Sequence, residues 1–268
     1  MTVLRFSDVR FSYDSSREVL GGASFDLLAG EIVALVGENG AGKTTITKLI
    51  AALLHPGGGV VEVCGVSTVG GVPEDFAASV GYLFQRVDQQ LFAKTLIDEV
   101  AFGPLAAGKT VAEAREMGAG TLRRVGLYQQ RNTHPFDLSP PHRKLVALAA
   151  AMAQEPQLYV LDEPIQGLDW GGIGLVAKIM RELAASGAAV LAVTHNMSFV
   201  AEVVDRVLLV SGGKIAADES VVNVMLSDSS PCRLGLARPQ AAELTIALDL
   251  PGRPIRHSDI VDAIARRL

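Results

Sequence analysis

The sequence predicts an α/β protein with a parallel core sheet covered by helices, an added antiparallel piece and a small C-terminal appendage. The first observation is that short apolar strands alternate with helical segments, which is typical of a parallel sheet with helices on its faces. The second is the stretch 2–27, which reads as short strands joined by a turn around 14–17. The third is a change in composition after about residue 215, where turn-forming residues precede two short helical pieces.

Each later element follows from its local pattern. Apolar, β-branched runs bounded by turn formers predict buried strands, at 31–36, 60–66, 80–84, 157–164, 188–195 and 206–213. Apolar residues at helical spacing predict helices, at 46–54, in two stretches between about 95 and 130, and at 141–154, 172–186 and 196–204. The C-terminal pattern predicts two helical pieces, at 239–248 and 258–268.

Composition and charge limit the function classes. Of the 268 residues, 49% are hydrophobic and 20% are charged, which is enough to bury a sizeable core. The net charge of −5 argues against a dedicated nucleic-acid binder, so we expect no nucleic-acid partner. Cys64 and Cys232 are too few for a disulfide framework and have no metal-ligand spacing.

The sequence predicts a cytosolic chain. Its N-terminus alternates apolar and polar residues and lacks the basic start and apolar run of a signal peptide. No apolar run reaches the roughly 18–20 residues of a spanning helix. Any role at a membrane is therefore expected to depend on a partner.

A phosphate-binding loop is predicted at 37–44, where the letters GENGAGKT fit G-x-x-x-x-G-K-[ST] between an apolar strand and an amphipathic helix. Glycines let backbone N–H groups surround phosphates, and the helix N-terminus adds partial positive charge. Lys43 is expected to reach the β- and γ-phosphates and Thr44 to bind Mg²⁺. A glycine-rich turn that merely connects strand and helix is the alternative. The predicted ATP-binding residues here are Gly37, Asn39, Gly40, Gly42, Lys43, Thr44 and Thr45.

Asp162 and Glu163 follow directly after an apolar strand. Ligands of open α/β sheets bind at the carboxyl ends of strands, so these side chains are expected beside the phosphates. Asp162 suits the Mg²⁺ side of the site, usually through water, and Glu163 could polarise the water that attacks the γ-phosphate. The alternative is a pair of surface acids that cap a strand.

Together these motifs resemble the nucleotide-binding subunits of ABC transporters, over the span from Tyr13 to His195. The resemblance implies that Tyr13 stacks on adenine and that Gln85 touches Mg²⁺ and the attacking water and senses a membrane partner. It implies that His195 contacts the γ-phosphate and that Leu168 and Asp169 belong to a loop crossing a dimer interface. Each has a structural alternative: an ordinary strand aromatic, a solvated loop amide or a structural histidine.

The resemblance also implies a domain plan. We expect an ABC-type P-loop NTPase domain over 1–215, with an antiparallel β subdomain and a helical subdomain at about 90–155, followed by a small dimerisation-type domain over 216–268. The segment 84–108 is similar to energy-coupling factor (ECF) transporter ATPases, which drive vitamin, cobalt or nickel uptake. Implied partners are a second ATPase subunit, a transmembrane scaffold and a substrate-binding membrane subunit, at the cytoplasmic face of the membrane.

One motif departs from the family pattern. Where the family has LSGGQ, this chain has LSPPH at 138–142, so that Ser139 remains but Pro140 and Pro141 replace the two glycines. Proline has no N–H, so two donors to a partner's γ-phosphate are removed, although proline suits a first helical turn. We therefore expect a heterodimer with one competent and one degenerate site. A homodimer, and a tilted helix that still serves ATP through Ser139, stay open.

Other functions fit less well. The subunit could belong to another ABC importer or exporter. DNA-repair, chromosome-maintenance and translation ATPases usually carry a coiled-coil or zinc insertion or a second cassette, and neither a heptad run nor a cysteine cluster is visible here. A P-loop small-molecule kinase would leave His195 unexplained. The transported solute is chosen by membrane subunits, so this sequence does not reveal it.

Overall fold

The computed structural model describes residues 1–14, 17–227 and 237–266. In those ranges a six-stranded sheet has the order β10-β9-β3-β8-β7-β6. Its strands are β3 (Ile32–Gly37), β6 (Val80–Leu83), β7 (Leu158–Asp162), β8 (Ala189–Val193), β9 (Arg206–Ser211) and β10 (Lys214–Ser220). Successive neighbours from β9 to β6 are parallel, and β10 pairs antiparallel with β9. The predicted parallel core is confirmed.

A second, four-stranded antiparallel sheet has the order β2-β1-β4-β5. It is built from β1 (Thr2–Ser12), β2 (Glu18–Leu28), β4 (Gly58–Val63) and β5 (Val66–Ser67). The single strand expected at 60–66 is therefore two strands. The cause is a turn at Cys64 and Gly65, both of which have positive φ, so that β5 folds back on β4.

Helices cover the sheets and connect their strands. Their bounds are α1 (Lys43–Ile50), α2 (Pro73–Phe76), α3 (Leu96–Ala106), α4 (Val111–Arg124), α5 (Pro140–Met152), α6 (Trp170–Ala185), α7 (Met197–Val203), α8 (Val221–Leu226), α9 (Gln240–Ala247) and α10 (His257–Ala265). The helix expected at 46–54 begins earlier and ends at Ile50, because Ala52 takes a left-handed conformation with φ 52°. Alanine gives no sequence signal for that termination.

The core lies on both faces of the parallel sheet. Alternate residues of β3 belong to different apolar clusters: Ile32, Ala34 and Val36 pack with α3, α5 and α6, whereas Val33 and Leu35 pack with α1 and the antiparallel sheet. This two-sided burial explains why β3 is apolar throughout. Both faces thereby fix the end of β3, from which the phosphate loop emerges.

The C-terminal part is joined to this core. β10 and α8 were not predicted, and the expected boundary between 215 and 216 falls inside β10. Ala242 and Ile255 pack in the same cluster as β3, whereas Ala241, Leu250 and Ile260 form a small cluster of their own. The division into 1–215 and 216–268 stays a prediction. Cys232 and most of the turn-rich segment lie outside the described residues.

Candidate functional site

The phosphate loop connects β3 to α1 and depends on glycine at both ends. A Cβ on Gly37 would lie 2.2 Å from the carbonyl oxygen of Val210 in the neighbouring β9. A Cβ on Gly42, whose φ is 111°, would lie 2.7 Å from Cδ2 of Leu20. Only glycine lets the loop approach β9 and β2 this closely, so the motif spacing and the packing agree.

Lys43 begins α1 and bends back over the loop. Its Nζ donates hydrogen bonds to the carbonyl oxygens of Gly37, at 2.7 Å, and Glu38, at 2.9 Å. Burial lowers the pKa of Lys43, whereas the charges of Glu163 and Asp162 act in the opposite direction. The ammonium thus lies in the loop and interacts electrostatically with the carboxylates of Asp162 and Glu163.

Asp162 and Glu163 stand at the end of β7, and each is about 8% exposed. Burial, together with the charge of Glu163, raises the pKa of the Asp162 carboxyl to about 6, against the opposing charges of Lys43 and Lys144. The two acids are therefore buried site residues. The alternative of two surface acids capping a strand does not fit this burial.

Glu163 is held by side-chain contacts from the end of β8. The hydroxyl Oγ1 of Thr194 donates to Oε2 at 3.1 Å, and Nδ1 of His195 lies 2.8 Å from Oε1. The backbone N–H of Glu163 donates to the carbonyl of Val193 at 2.8 Å. Adjacent parallel strands β7 and β8 thus bring the predicted base and the predicted switch histidine together.

The loop and the carboxylates share one cleft of about 590 Å³. Predicted site residues that line it are Tyr13, Asn39, Gly40, Gly42, Lys43, Thr44, Thr45, Gln85, Asp162 and Glu163. Gly37 and His195 do not line the cleft: Gly37 packs against Val210 of β9, and His195 contacts Glu163. The hydroxyl of Tyr13, a residue 59% exposed, lies 3.3 Å from Oγ1 of Thr45, beside the loop.

The cleft is also lined by residues that the sequence did not predict: Asp14, Arg17, Glu18, Val19, Val193, Gly212 and Gly213. Gly212 and Gly213 form the turn between β9 and β10, where the N–H of Gly21 donates to the carbonyl of Gly213 at 3.0 Å. The strand predicted at 206–213 included both glycines, whereas β9 ends at Ser211 because Gly212 and Gly213 have positive φ. Nothing local indicated that this turn packs against β2.

The cleft contains the oxygen donors that Mg²⁺ prefers. Thr44, Gln85 and Asp162 all line it, and hard cations select hydroxyl, carbonyl and carboxylate oxygens. Among the described residues, no group of three or more His, Cys, Asp or Glu side chains could hold a metal ion. This donor set fits a magnesium ion that shares its coordination with substrate phosphates.

Ser139 is not among the cleft residues. It is an exposed N-cap of α5, and its Oγ lies 2.9 Å from Nδ1 of His142. Arg143, which follows His142, donates to Asp88 at 3.1 Å and to the carbonyls of Leu138 and Phe136. The start of α5 is therefore an ordered structure tied to the segment that follows Gln85, and the two prolines leave the helix intact.

An aromatic groove, defined by Tyr82, Phe84, Phe92 and Phe102, lies beside Gln85. Two shallow cavities of about 150 and 190 Å³ meet at Tyr82. Phe92 and Phe102 contact each other edge to face with centroids 4.8 Å apart, yet they are 62% and 53% exposed. Exposed aromatic clusters of this kind mark interaction surfaces.

No helix within the described ranges is long and apolar enough to cross a membrane. Known proteins resemble this chain over most of its length. The family model described as ABC transporter matches residues 20–166. The energy-coupling factor transporter ATP-binding protein EcfA2 of Lactobacillus delbrueckii is 34% identical, over 99% of this chain and 97% of that protein. The cobalt import ATP-binding protein CbiO of Syntrophus aciditrophicus is 36% identical, over 97% of this chain and 93% of that protein.

One relative is longer. The chain is 34% identical to a putative ABC transporter ATP-binding protein of Caldanaerobacter subterraneus and spans 43% of its length. A solved structure described as the ATP binding subunit of an ABC transporter superposes with a TM-score of 0.77 at 28% identity, over 92% of this chain and all of that one. With the family model and two full-length relatives in agreement, the chain belongs to the ABC transporter family and is an ATP-binding subunit of that ATPase family.

Proposed function

We propose that this chain binds and hydrolyses ATP to energise an ECF-type membrane importer for a vitamin or a transition metal. One observation carries the proposal: Lys43, Thr44, Gln85, Asp162 and Glu163 converge on a single cleft. The similarity to EcfA2 and CbiO supports the ECF type, because those proteins are named for energy coupling and for cobalt import.

ATP would occupy the cleft with its phosphates along the loop 37–44. Backbone N–H groups at the start of α1 face the phosphates, where the helix end favours negative charge. The ammonium of Lys43 would exchange the carbonyls of Gly37 and Glu38 for the β- and γ-phosphates. The exposed ring of Tyr13 would stack on adenine. Bound by Thr44, Gln85 and Asp162, Mg²⁺ would neutralise charge on the phosphates.

Glu163 is the general base in this proposal. Its carboxylate accepts a proton from water as the water oxygen forms a bond to the γ-phosphorus. The bond from the γ-phosphorus to the bridging oxygen breaks, and its electron pair leaves with ADP. Inorganic phosphate is the other product, and the proton passes from Glu163 to solvent. His195, now beside Glu163, would contact the γ-phosphate.

The partner ATPase would form the other half of each site. Pro140 and Pro141 lack the N–H groups that would face the partner's γ-phosphate, so this chain serves that site poorly through Ser139 alone. A heterodimer with one competent site is therefore favoured over a homodimer. Exposed Leu244, Ile246 and Val261 on α9 and α10 would contribute to pairing in the C-terminal part.

A transmembrane scaffold would dock at the aromatic groove. Phe84 directly precedes Gln85, so a helix of the scaffold seated on the groove would move the loop that carries a Mg²⁺ and water ligand. Binding there would hold the chain at the cytoplasmic face of the membrane, next to a substrate-binding membrane subunit. No nucleic-acid partner is proposed.

Co-purification from native membranes tests the proposal. The tagged chain should bring down a transmembrane scaffold and a second ATPase subunit, and the complex should hydrolyse Mg-ATP. Glu163→Gln should abolish that hydrolysis while ATP binding persists, and the isolated chain should bind Mg-ATP but turn over slowly. Brisk hydrolysis by the isolated chain, lost in Glu163→Gln, would contradict the asymmetric pair. Failure to bind ATP would contradict the function.

A further inference from the structure

Lys144 is a buried lysine that none of the motifs above uses. It lies in the second turn of α5 and is about 6% exposed. Its Nζ donates a hydrogen bond of 2.7 Å to the backbone carbonyl of Glu163, nineteen positions further along the chain. A buried cation thus touches the main chain of the proposed general base.

Packing alone does not explain a lysine at this position. Its neighbours Leu145, Val146 and Ala147 are buried apolar residues of the main core. Burying an ammonium costs free energy unless nearby charge compensates it, and an apolar side chain of similar size would avoid that cost. Burial lowers the pKa of Lys144, whereas the charges of Glu163 and Asp162 oppose this effect. The compensation therefore comes from the two site carboxylates.

The backbone of Glu163 needs such support. Its φ of 49° lies in the left-handed region, which is unfavourable for a residue with a side chain. Strained backbone conformations persist where surrounding contacts determine them. Here the N–H of Glu163 is bonded to Val193 and its carbonyl to Lys144, so both adjacent peptide planes are fixed. Their orientation sets the direction of the Cα–Cβ bond, from which the Glu163 carboxylate extends to Thr194 and His195.

We propose that Lys144 is a positioning residue that holds the Glu163 carboxylate in line with the attacking water. The inference rests on the proposed ATPase function. It also has a consequence for communication between sites. Lys144 lies four residues after Pro140, about 6 Å along the same helix. A shift of α5 when its N-terminus meets the partner's nucleotide would therefore move the anchor of Glu163.

The test uses Lys144→Met, Lys144→Arg and the matched control Lys178→Met in the co-purified complex. Lys178 lies on α6 and its side chain is 74% exposed. We expect Lys144→Met to lower kcat for ATP by on the order of 10- to 100-fold, because small displacements of a reacting group have effects of this size. KM for ATP should stay within about twofold of the wild-type value, since no phosphate contact is removed.

ATP affinity measured well below the Tm and the conservative variant separate positioning from a structural role. Lys144→Met should lower the Tm, because the Glu163 carbonyl loses its donor and the two buried carboxylates lose a counter-charge. Lys144→Arg, which keeps a charged donor, should recover part of kcat, and Lys178→Met should match the wild type. A wild-type kcat in Lys144→Met would overturn the inference, as would a loss of ATP affinity, measured well below the Tm, that parallels the loss of kcat. Absence of hydrolysis in the wild-type complex would instead overturn the proposed function, and the inference with it.

Discussion

Nδ1 of His195 lies 2.8 Å from Oε1 of Glu163, so the two groups expected to act around the γ-phosphate are bound to each other. Two other residues expected to contact phosphate are also bonded within the chain. Lys43 donates to the loop carbonyls of Gly37 and Glu38, and Ser139 lies beside His142. Under the proposed function, nucleotide binding would exchange these internal contacts for phosphate contacts. The affinity for ATP reflects the difference between the two sets.

His195→Ala should slow hydrolysis without a comparable loss of ATP binding. Removing one donor that stabilises charge in the transition state costs on the order of 10²–10³ in rate. The measurement is phosphate release by the complex, together with fluorescent-nucleotide titration. His55→Ala is the control, because His55 lies in the turn after α1 and contacts Thr68. Wild-type turnover in His195→Ala would remove the histidine from the mechanism.

Lys43→Met should weaken ATP binding by about 10- to 150-fold, which corresponds to losing about 1.5–3 kcal/mol of charge-assisted hydrogen bonding. We expect a loss of affinity near the lower end of this range, because Lys43 already donates to two carbonyls before ATP binds. Isothermal titration with Mg-ATP measures it. Lys48→Met, in the last turn of the same helix, should bind ATP normally. Equal affinities for both variants would contradict the assignment.

Tyr13→Ala should weaken nucleotide binding, and Tyr13→Phe should not. Aromatic stacking contributes about 0.5–1.5 kcal/mol beyond area burial, so the alanine variant should lose roughly 2- to 13-fold in affinity. The phenylalanine variant keeps the ring and loses the 3.3 Å contact with Thr45. If both variants weaken binding equally, the hydroxyl rather than the ring is the important group.

Pro140→Gly combined with Pro141→Gly should raise the turnover of the complex. It restores two backbone donors toward the partner's nucleotide, and each such donor is worth on the order of 10² in rate at a competent site. Stability should fall by about 0.4–1 kcal/mol per site, because proline restricts the unfolded chain. Unchanged turnover, with the expected loss of Tm, would show that the prolines do not limit the second site.

Asp162→Asn should stabilise the protein free of nucleotide and Mg²⁺ at pH 8. The pKa of this carboxyl is raised from 3.8 to about 6, chiefly by burial. The folded state therefore binds the proton more tightly, and its stability falls as the pH rises from about 4 to 6. Above pH 6 the ionised Asp162 lowers the free energy of unfolding by the full amount, roughly 3 kcal/mol, at about 1.4 kcal/mol per pKa unit.

Urea unfolding at pH 8 and pH 4.5 measures this effect. The stabilisation by Asp162→Asn should be largest at pH 8 and smaller at pH 4.5, where the folded wild-type carboxyl is protonated. Asp137→Asn, at an exposed position, is the control. If Asp162→Asn raised the free energy of unfolding equally at both pH values, the charge of Asp162 would not be the source of the effect.

Local signals predicted the parts of the site that are contiguous in sequence. The loop from Gly37 to Thr45 and the strand that ends in Asp162 could be identified because their residues are neighbours in the chain. Contacts between distant segments could not be identified. Lys144 reaches Glu163 only because the packing of α5 brings it to the residue that follows β7, and the turn at Gly213 meets Gly21 only through the sheet arrangement. Such contacts depend on packing, which no short pattern encodes.

β10 was also missed, for a different reason. Its burial alternates weakly and it carries Lys214, Asp218 and Glu219, so its sequence lacks the apolar run of an inner strand. The same charges suit a strand at the margin of a sheet, where paired Asp218 and Arg206 replace apolar packing.

The antiparallel pairing of β10 with β9 has a practical consequence for shortened versions of this protein. A chain that stopped at residue 215 would leave most of β9, which is apolar and largely buried, with free backbone donors and acceptors along its outer side. Exposed strands of this kind recruit strands from other molecules and aggregate. A soluble fragment should therefore extend at least through Ser220, where the covering strand ends.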